Sequence, residues 1–321
     1  MLNRAPELFR GAFKVAAGAS LALFAALLWQ AQWASRAEAT GAGAGGPGVT
    51  KVGASSKKGG PAKEVVLAPH RAVYDLTLDT VSSASGVVSV EGRIVYELSG
   101  NRCEGHAQSM RFVTQTLNQQ GEVQTTDLRT SSWEEVPARR LRFSTSTYQN
   151  EVPAEQTQGE ATRAGAAGAV TVDLAKPADR EFELSDNIYF PIQHSTAIIQ
   201  AAREGRFMLS ANLFDGSETG DKVYVTSTAI GRQVKEGQGT PIALAKGGDA
   251  LDDIPSWPVL VSYYSPDSGK ADAVPLYEMS YRFHENGVTS SLRINHGEFA
   301  IKGELKELTY FEPSPCKGVT P

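Results

Sequence analysis

The five histidines of this 321-residue chain are candidates for metal binding and, together with serine, for hydrolysis. The five histidines lie far apart, without the HxH, HxxxH or His/Cys spacing that brings two ligands to one metal. His194 and Ser195 are adjacent, but the base and nucleophile of a triad converge from different elements, and no GxSxG motif occurs. The pattern therefore favours core or surface roles for His70, His106, His194, His284 and His296.

The segment Asp215–Asp221, DGSETGD, places oxygen-bearing residues at alternate positions with a glycine at the sixth, as a calcium loop does. The twelfth position is Thr226 rather than a bidentate glutamate, and Val223 and Val225 already follow a strand pattern. A hairpin turn is therefore favoured over a calcium site. No phosphate-loop motif is present, and the GxGxxG match at 41–46 lacks the flanking strand and helix, so no cofactor is predicted.

Aromatic side chains cluster in two late segments, SWPVLVSYY and PLYEMSYRFH, at the two-residue spacing of a strand face. They could line a groove for an apolar ligand, or they could form core, which is the commoner fate of aromatics at this spacing. Both interpretations stay open, and the candidate groove residues are Tyr263, Tyr264, Tyr277, Tyr281 and Phe283.

The chain has two cysteines, Cys103 and Cys316. If the chain is exported, oxidation is the default fate of such a pair, so a disulfide closing a loop of more than 200 residues is favoured. A catalytic role lacks support, because Cys316 lies among prolines near the terminus, where a nucleophile is difficult to position.

The N-terminus has the pattern of a secretory signal peptide. Three basic residues precede the uncharged run Val15–Trp29, and small residues at Ala37 and Ala39 suit a signal peptidase. The run has 15 residues, fewer than the roughly 20 that a bilayer span needs, although an uncleaved anchor remains the alternative. We expect a signal peptide over 1–39, a flexible Gly/Ala/Lys linker over 40–64 and one domain over 65–321.

Charge and hydropathy limit the partners of the exported part. Removal of residues 1–39 takes away four basic and two acidic residues, which changes the net charge from −5 to −7. A net-acidic chain argues against a nucleic-acid partner. No other uncharged apolar run is long enough to span a membrane, so we expect a soluble protein after cleavage. Such a protein could still act at a membrane surface.

Alternation of apolar and polar residues predicts a mainly all-β fold. The run from Val88 to Leu98 keeps period two over 11 residues, long enough for a barrel or a strongly curved sheet. One helix is expected near 195–204, with Ser195 and Thr196 at its start and Gly205 just past its end, and its expected role is to cover a sheet face or barrel mouth.

Turn signals define several further elements. Asn286-Gly287 predicts a hairpin with a type I′ turn, and a phase slip between Leu305 and Leu308 predicts a bulge. The polar, Gly/Ala-rich region Glu151–Gly168 is expected to be a hairpin tip or weak edge strands, and Gly237–Asp253 a long loop.

Several sequence blocks in order resemble the cell envelope integrity protein EipB family. They are HRAVYDLTLD, GRIVYELSG with NRCEG and MRFVTQ, LFDGSETGDKVY, WPVLVSYY, PLYEMSYRFHENGV and the terminal cysteine, and they span about His70 to Cys316. The long Gly/Ala/Lys linker at 40–64 departs from the family, which puts the role of that linker in doubt but not the domain assignment.

The resemblance implies an α-proteobacterial periplasmic protein with long, curved antiparallel strands in a spiral-like or incompletely closed β-barrel, and with a disulfide between the positions matched by Cys103 and Cys316. It implies a role in envelope homeostasis and brings no catalytic residues. We therefore expect a non-enzymatic factor that binds an envelope protein or an amphipathic ligand such as lipid. The alternative is a periplasmic hydrolase acting on an envelope component, for which His194, Asp215 and Glu218 are the first candidates.

Overall fold

The computed structural model describes residues 64–165, 168–185, 187–235, 245–266 and 273–312, together with Ser314 and Cys316. The expected signal peptide over 1–39 and all but the last residue of the expected linker over 40–64 lie outside these ranges. Much of the expected loop Gly237–Asp253 lies outside them too, and its described end contains a 3₁₀ turn over Gly248–Leu251. None of the helices in the described ranges has the length and apolar character needed to cross a bilayer.

The described residues form one 15-stranded sheet and one α-helix, α1. The first half of the sheet contains β1 (His70–Val81), β2 (Val87–Asn101), β3 (Gly105–Asn118), β4 (Val123–Glu135), β5 (Arg140–Gln149), β6 (Val152–Arg163), β7 (Val170–Lys176) and β8 (Arg180–Leu184). The second half contains β9 (Ile188–Tyr189), α1 (Pro191–Arg203), β10 (Met208–Phe214), β11 (Val223–Ile230), β12 (Ser256–Tyr264), β13 (Tyr277–His284), β14 (Thr289–Asn295) and β15 (Phe299–Tyr310).

The strands follow one another as a meander, and the antiparallel pair β1–β15 joins the two halves. Only β9 and β10 pair in parallel among the described strands. The strand order runs from β8 to β9, so these two strands are the edges of an unsealed seam in an otherwise closed, barrel-like sheet. The expected all-β class and the incompletely closed barrel are confirmed.

Strand alternation places the core on the inner face of the sheet. In β1, Ala72, Tyr74 and Leu76 are buried, and their β2 partners include Ile94. Phe112 and Leu128 continue this inner face onto β3 and β4, where they pair directly. Neighbouring residues of opposite parity face outward and carry the charges, as period two requires.

The strand β6 corrects the expectation of a hairpin tip or weak edge strands at Glu151–Gly168. This segment forms a 12-residue strand that pairs with β5 on one side and β7 on the other. Thr157, Ala161 and Arg163 are buried on its inner face. Ladder hydrogen bonds on both sides therefore order a segment that has few large apolar residues of its own.

The helix begins one turn earlier than expected. It spans Pro191–Arg203, with the proline in its first turn and Phe190 as an N-cap residue without a side-chain cap. Thr196 lies inside the helix, where its hydroxyl donates to the carbonyls of Ile192 and Gln193. The end agrees with the prediction, because Gly205 adopts a φ of 71° and donates to the Ala202 carbonyl.

The late turns are confirmed with one difference. The Asn286-Gly287 pair joins β13 to the antiparallel β14 as predicted. Among the described turn residues Gly287 has a positive φ of 85° and Asn286 does not, and the Gly287 N–H donates to the His284 carbonyl. The connection is thus a turn followed by a left-handed glycine rather than a type I′ turn. The predicted bulge is present between the pairs Val73↔Glu307 and Tyr74↔Leu305.

Candidate functional site

A groove of about 640 Å³ crosses the outer face of β2–β7. It is lined by two neighbouring rows of outward-facing residues that the strand register aligns. One row runs through direct cross-strand partners from Ser99 to Asp173, and the other runs from Glu97 to Gln158. The rows are Ser99, Ala107, Trp133, Arg142, Glu160 and Asp173, and Glu97, Ser109, Ser131, Ser144 and Gln158.

Small side chains create the space in the middle of this groove. Ser109, Ser131 and Ser144 pair in line on β3, β4 and β5, and Ala107 lies beside them. None of these side chains rises far above the sheet, so the neighbouring indole of Trp133 borders open space. Phe311, which follows β15 and donates its N–H to the Pro69 carbonyl, lines the groove at the β2 end.

The charged groups around the Trp133 indole form ion pairs. The Arg142 guanidinium lies 5.7 Å from the centre of the Trp133 ring, and its Nε donates to Glu160 at 2.7 Å. Arg140 contacts the other oxygen of Glu160 at 3.1 Å. Glu97, in the second row, is 3.3 Å from the Arg71 Nε. The groove therefore combines an aromatic surface with hydrogen-bond donors and acceptors, several of which are held in ion pairs, a combination suited to binding.

Inside the barrel, Glu134 of β4 caps the start of α1. Its two carboxylate oxygens accept the backbone N–H groups of Ile192 at 2.6 Å and Gln193 at 2.9 Å. This supplies the acceptors that Phe190 lacks, since the first N–H groups of a helix have no partner within the helix. Burial raises the pKa of Glu134 to about 8, against the lowering effect of the two N–H donors and of Arg163.

Arg163 of β6 completes the contact across the seam. Its guanidinium donates to the carbonyls of Ala138 and Ile188 and lies 4.7 Å from the centre of the Phe190 ring. It also donates to the Gln193 side chain at 3.3 Å. One buried side chain thus connects the β4–β5 turn, the edge strand β9 and the first turn of α1, which holds the seam together without a strand pair.

The β10–β11 hairpin tip packs against the inner face of the opposite strands. Gly216 has a φ of 72°, and a Cβ atom there would lie 2.2 Å from the Phe143 ring, so only glycine fits this approach. The Thr157 hydroxyl donates to the Glu218 carbonyl, and Arg180 of the edge strand β8 donates to Asp221 at 2.7 Å. The segment that resembled a calcium loop is therefore a hairpin turn that closes the seam.

The candidate groove aromatics are divided between two faces. Tyr263, Tyr277, Tyr281 and Phe283 are at most 6% exposed, and Tyr264 is half-buried on the outer face. Tyr263 and Tyr277 stack with ring centres 4.3 Å apart, and Tyr224 meets both rings edge to face. Four of the five residues therefore pack in the barrel interior in this structure and do not line an open groove.

The three candidate hydrolase residues have separate partners. His194 is 3% exposed, and its Nε2 lies 3.3 Å from the Thr226 hydroxyl. Asp215 is 2% exposed and accepts the Ser217 N–H, while Glu218 accepts from the Tyr224 hydroxyl. Burial lowers the pKa of His194 to about 4. Their hydrogen bonds thus connect interior side chains, and His194 and Asp215 expose almost no surface to solvent among the described residues.

The other four histidines also pack against or contact neighbouring residues of the fold. His70 contacts the Ala68 carbonyl, His284 the Ser290 hydroxyl, and His296 stacks on Phe299. His106 is buried on β3. Within the described ranges, no group of three or more His, Cys, Asp or Glu residues is arranged to hold a metal ion.

Asp215 provides a prediction with a defined pH dependence. Burial raises its pKa to about 6, and its Oδ2 is buried without a hydrogen-bond partner. A carboxyl whose folded pKa is raised contributes stability below its ordinary pKa and loses it as the pH rises towards 6. Asp215→Asn should therefore raise the unfolding free energy at pH 7 by about 1–3 kcal/mol and have no such effect at pH 4.

Urea unfolding at both pH values measures this difference. The exposed Asp253→Asn is the matched control and should change the free energy by less than about 0.5 kcal/mol. An Asp215→Asn variant that is less stable than wild type at pH 7 would contradict the prediction.

Comparisons with known proteins agree on one family. Residues 61–312 match the family model described as EipB-like. The cell envelope integrity protein EipB of Brucella abortus is 31% identical over 256 residues, which are 80% of this chain and 89% of that protein. The crystal structure of a β-barrel-like protein of unknown function from Brucella abortus has a TM-score of 0.70 and 29% identity, covering 77% of this chain and all of that one.

Sequence reasoning did not identify the outer groove. Trp133 and Arg142 lie nine residues apart, and only the register of β4 and β5 makes them direct partners. The signal in the sequence was Trp133 itself, because a strand that buries Leu128 turns position 133 outward, where a large aromatic residue has no role in the core.

Proposed function

The chain belongs to the EipB-like family, and from that premise we propose that it supports cell envelope integrity by binding an envelope component at its outer groove, without catalysis. The observation that carries this proposal is the contrast between the two faces of the sheet. The barrel interior holds packed side chains, including the acid and base candidates His194 of α1 and Asp215 of the β10–β11 turn, whereas the outer groove is open and carries Trp133.

The proposed place of action is the periplasm. The signal-peptide pattern of residues 1–39 supports export, and the related Brucella protein is named for the cell envelope. The disulfide between Cys103 and Cys316 suits an oxidising compartment. Protein recovered from the envelope should have the intact mass of a chain that begins at Thr40, and retention of Met1–Ala39 would indicate an anchored form instead.

The runner-up is a periplasmic hydrolase that uses His194, Asp215 and Glu218. His194 and Asp215 are buried, and Glu218 accepts a hydrogen bond from the buried Tyr224 hydroxyl. Alanine substitutions would therefore disturb the interior, and a loss of function would not distinguish a catalytic role from a structural one. The isosteric variant His194→Gln/Asp215→Asn/Glu218→Gln removes acid and base chemistry while keeping shape and hydrogen-bonding capacity.

Complementation separates the two functions. Cells that lack the protein should become sensitive to detergents and to antibiotics that act on the cell wall. Under the binding proposal, the folded isosteric variant restores resistance to the wild-type level. Failure of this variant at normal abundance, together with turnover of an envelope substrate by the wild type alone, would establish the hydrolase.

A further inference from the structure

The length and direction of the outer groove restrict the shape of its ligand. The groove crosses six neighbouring strands, β2 to β7, perpendicular to the strand direction. Strands lie 4.7–4.9 Å apart, so the groove runs for roughly 24 Å. A ligand that follows the groove must be extended. A polymer suits this shape, because its repeating units would meet strands at a regular spacing.

The apolar lining of the groove is interrupted. Trp133, Ala107 and Phe311 lie on the β2–β4 side and Ala175 lies at the β7 end. The charged side chains of Arg142 and Glu160 lie between these two parts. This arrangement does not suit an acyl chain, which needs a continuous apolar lining. It suits a pyranose ring, because the C–H faces of such a ring are apolar while its rim carries hydroxyl groups.

The polar part of the groove matches hydroxyl groups rather than ionic ones. Sugar hydroxyls both donate and accept, and the serine hydroxyls and the Gln158 amide do the same. Glu160 and Glu97 are already paired with arginines, which limits their attraction for a basic peptide. Three carboxylates and one guanidinium line the groove, so an anionic headgroup or phosphate is disfavoured as well: they are Glu97, Glu160, Asp173 and Arg142.

We propose that the groove binds a neutral glycan strand, with a pyranose ring stacked on Trp133 and hydroxyls bonded along the rows of Ser109, Ser131, Ser144 and Arg142. This inference rests on the proposed function, because it names the ligand class for the same groove. A glycan strand in the envelope has two sources, the cell wall and surface polysaccharide.

Binding measurements on the exported chain, residues 40–321, test the proposal. A soluble β-1,4-linked N-acetylglucosamine hexamer probes sugar binding by calorimetry, and sedimentation with protein-free cell-wall sacculi or with purified surface polysaccharide distinguishes the two sources. Trp133→Ala should raise the Kd for the bound glycan at least 10-fold, and Trp133→Phe should recover much of the loss because it restores an aromatic face.

Tyr148→Ala is the matched control. Tyr148 lies on the same sheet but outside the groove. The guanidinium of Arg129 is 4.8 Å from the centre of the Tyr148 ring. This variant should change the Kd less than twofold. If Trp133→Ala does not fold, Ser144→Trp fills the groove from the neighbouring strand without removing the indole, and it should abolish binding as well.

Three results would overturn the glycan assignment. The first is absence of binding to all three glycans by the folded wild type, and the second is binding that survives both Trp133→Ala and Ser144→Trp. The third is Trp133-dependent binding to phospholipid vesicles in place of glycan. A different result would contradict the proposed function: groove variants that restore envelope integrity in cells as well as the wild type does.

Discussion

Glu134→Ala should lower the unfolding free energy by about 3–5 kcal/mol, among the largest effects of any single substitution in this fold. The change removes both acceptors from the Ile192 and Gln193 N–H groups and leaves them buried without partners. It also leaves Arg163 buried beside an empty space. Because Glu134 fixes the start of α1, the first turn should loosen together with the Arg163 contacts to the Ile188 carbonyl and the Gln193 side chain. Urea unfolding followed by circular dichroism measures the loss.

Two variants control this prediction. Glu135→Ala changes the neighbouring glutamate, which has opposite strand parity, and should alter the free energy by less than about 0.5 kcal/mol. Glu134→Gln keeps one acceptor and most of the volume. Since the raised pKa of Glu134 makes its contribution full below about pH 4.5 and smaller as the pH rises towards 8, Glu134→Gln should gain stability relative to wild type over that interval. A loss below 1 kcal/mol for Glu134→Ala would mean that the cap is not needed.

The Cys103–Cys316 disulfide is the second large contribution. It joins the β2–β3 turn to the chain after β15, with a Cα–Cα distance of 5.7 Å and a sequence separation of 213. The chain-entropy model gives roughly 5 kcal/mol for a loop of this length, an upper figure because residual structure in the unfolded chain reduces it. Cys103→Ser/Cys316→Ser should therefore lose about 2–5 kcal/mol and melt at a lower temperature.

Thiol chemistry provides the controls for the disulfide. Denatured, unreduced wild-type protein should contain no reactive thiol, and a reducing agent should lower the melting temperature of the wild type to that of the double serine variant. The same agent should leave the double variant unchanged. Stoichiometric thiol labelling, or equal melting temperatures for the oxidised wild type and the variant, would contradict the prediction.

Local patterns predicted most of the fold because antiparallel strands and turns depend on residues that are close in sequence. The Asn286-Gly287 pair correctly predicted the hairpin between β13 and β14, and the phase slip between Leu305 and Leu308 correctly located a bulge. The helix start could not be predicted, since its cap is a glutamate 58 residues away in sequence. The strand β6 was underestimated for a similar reason, because its order comes from hydrogen bonds to both neighbours rather than from its own side chains.

Local sequence patterns could not predict the candidate site. The groove depends on six strands held in one register, so that three serines line up beside a tryptophan. The aromatic residues that drew attention in the sequence, Tyr263 and Tyr277 among them, pack inward because they share the parity of the core positions on β12 and β13. Spacing along one strand indicates a face, but it does not indicate which face remains open.

The central claim is that the protein acts through its outer groove, and complementation by groove variants tests it most directly. In cells that lack the native protein, folded Trp133→Ala/Arg142→Ala is expressed beside the control Arg129→Ala/Tyr148→Ala. The control removes another arginine–aromatic contact of the same two strands, with Arg129 two rows and Tyr148 three rows from the Trp133–Arg142 row. Detergent resistance is then measured at equal protein abundance. We expect the control to restore resistance and the groove variant to leave the cells as sensitive as the deletion strain. Full resistance in cells that carry the folded groove variant would contradict the account.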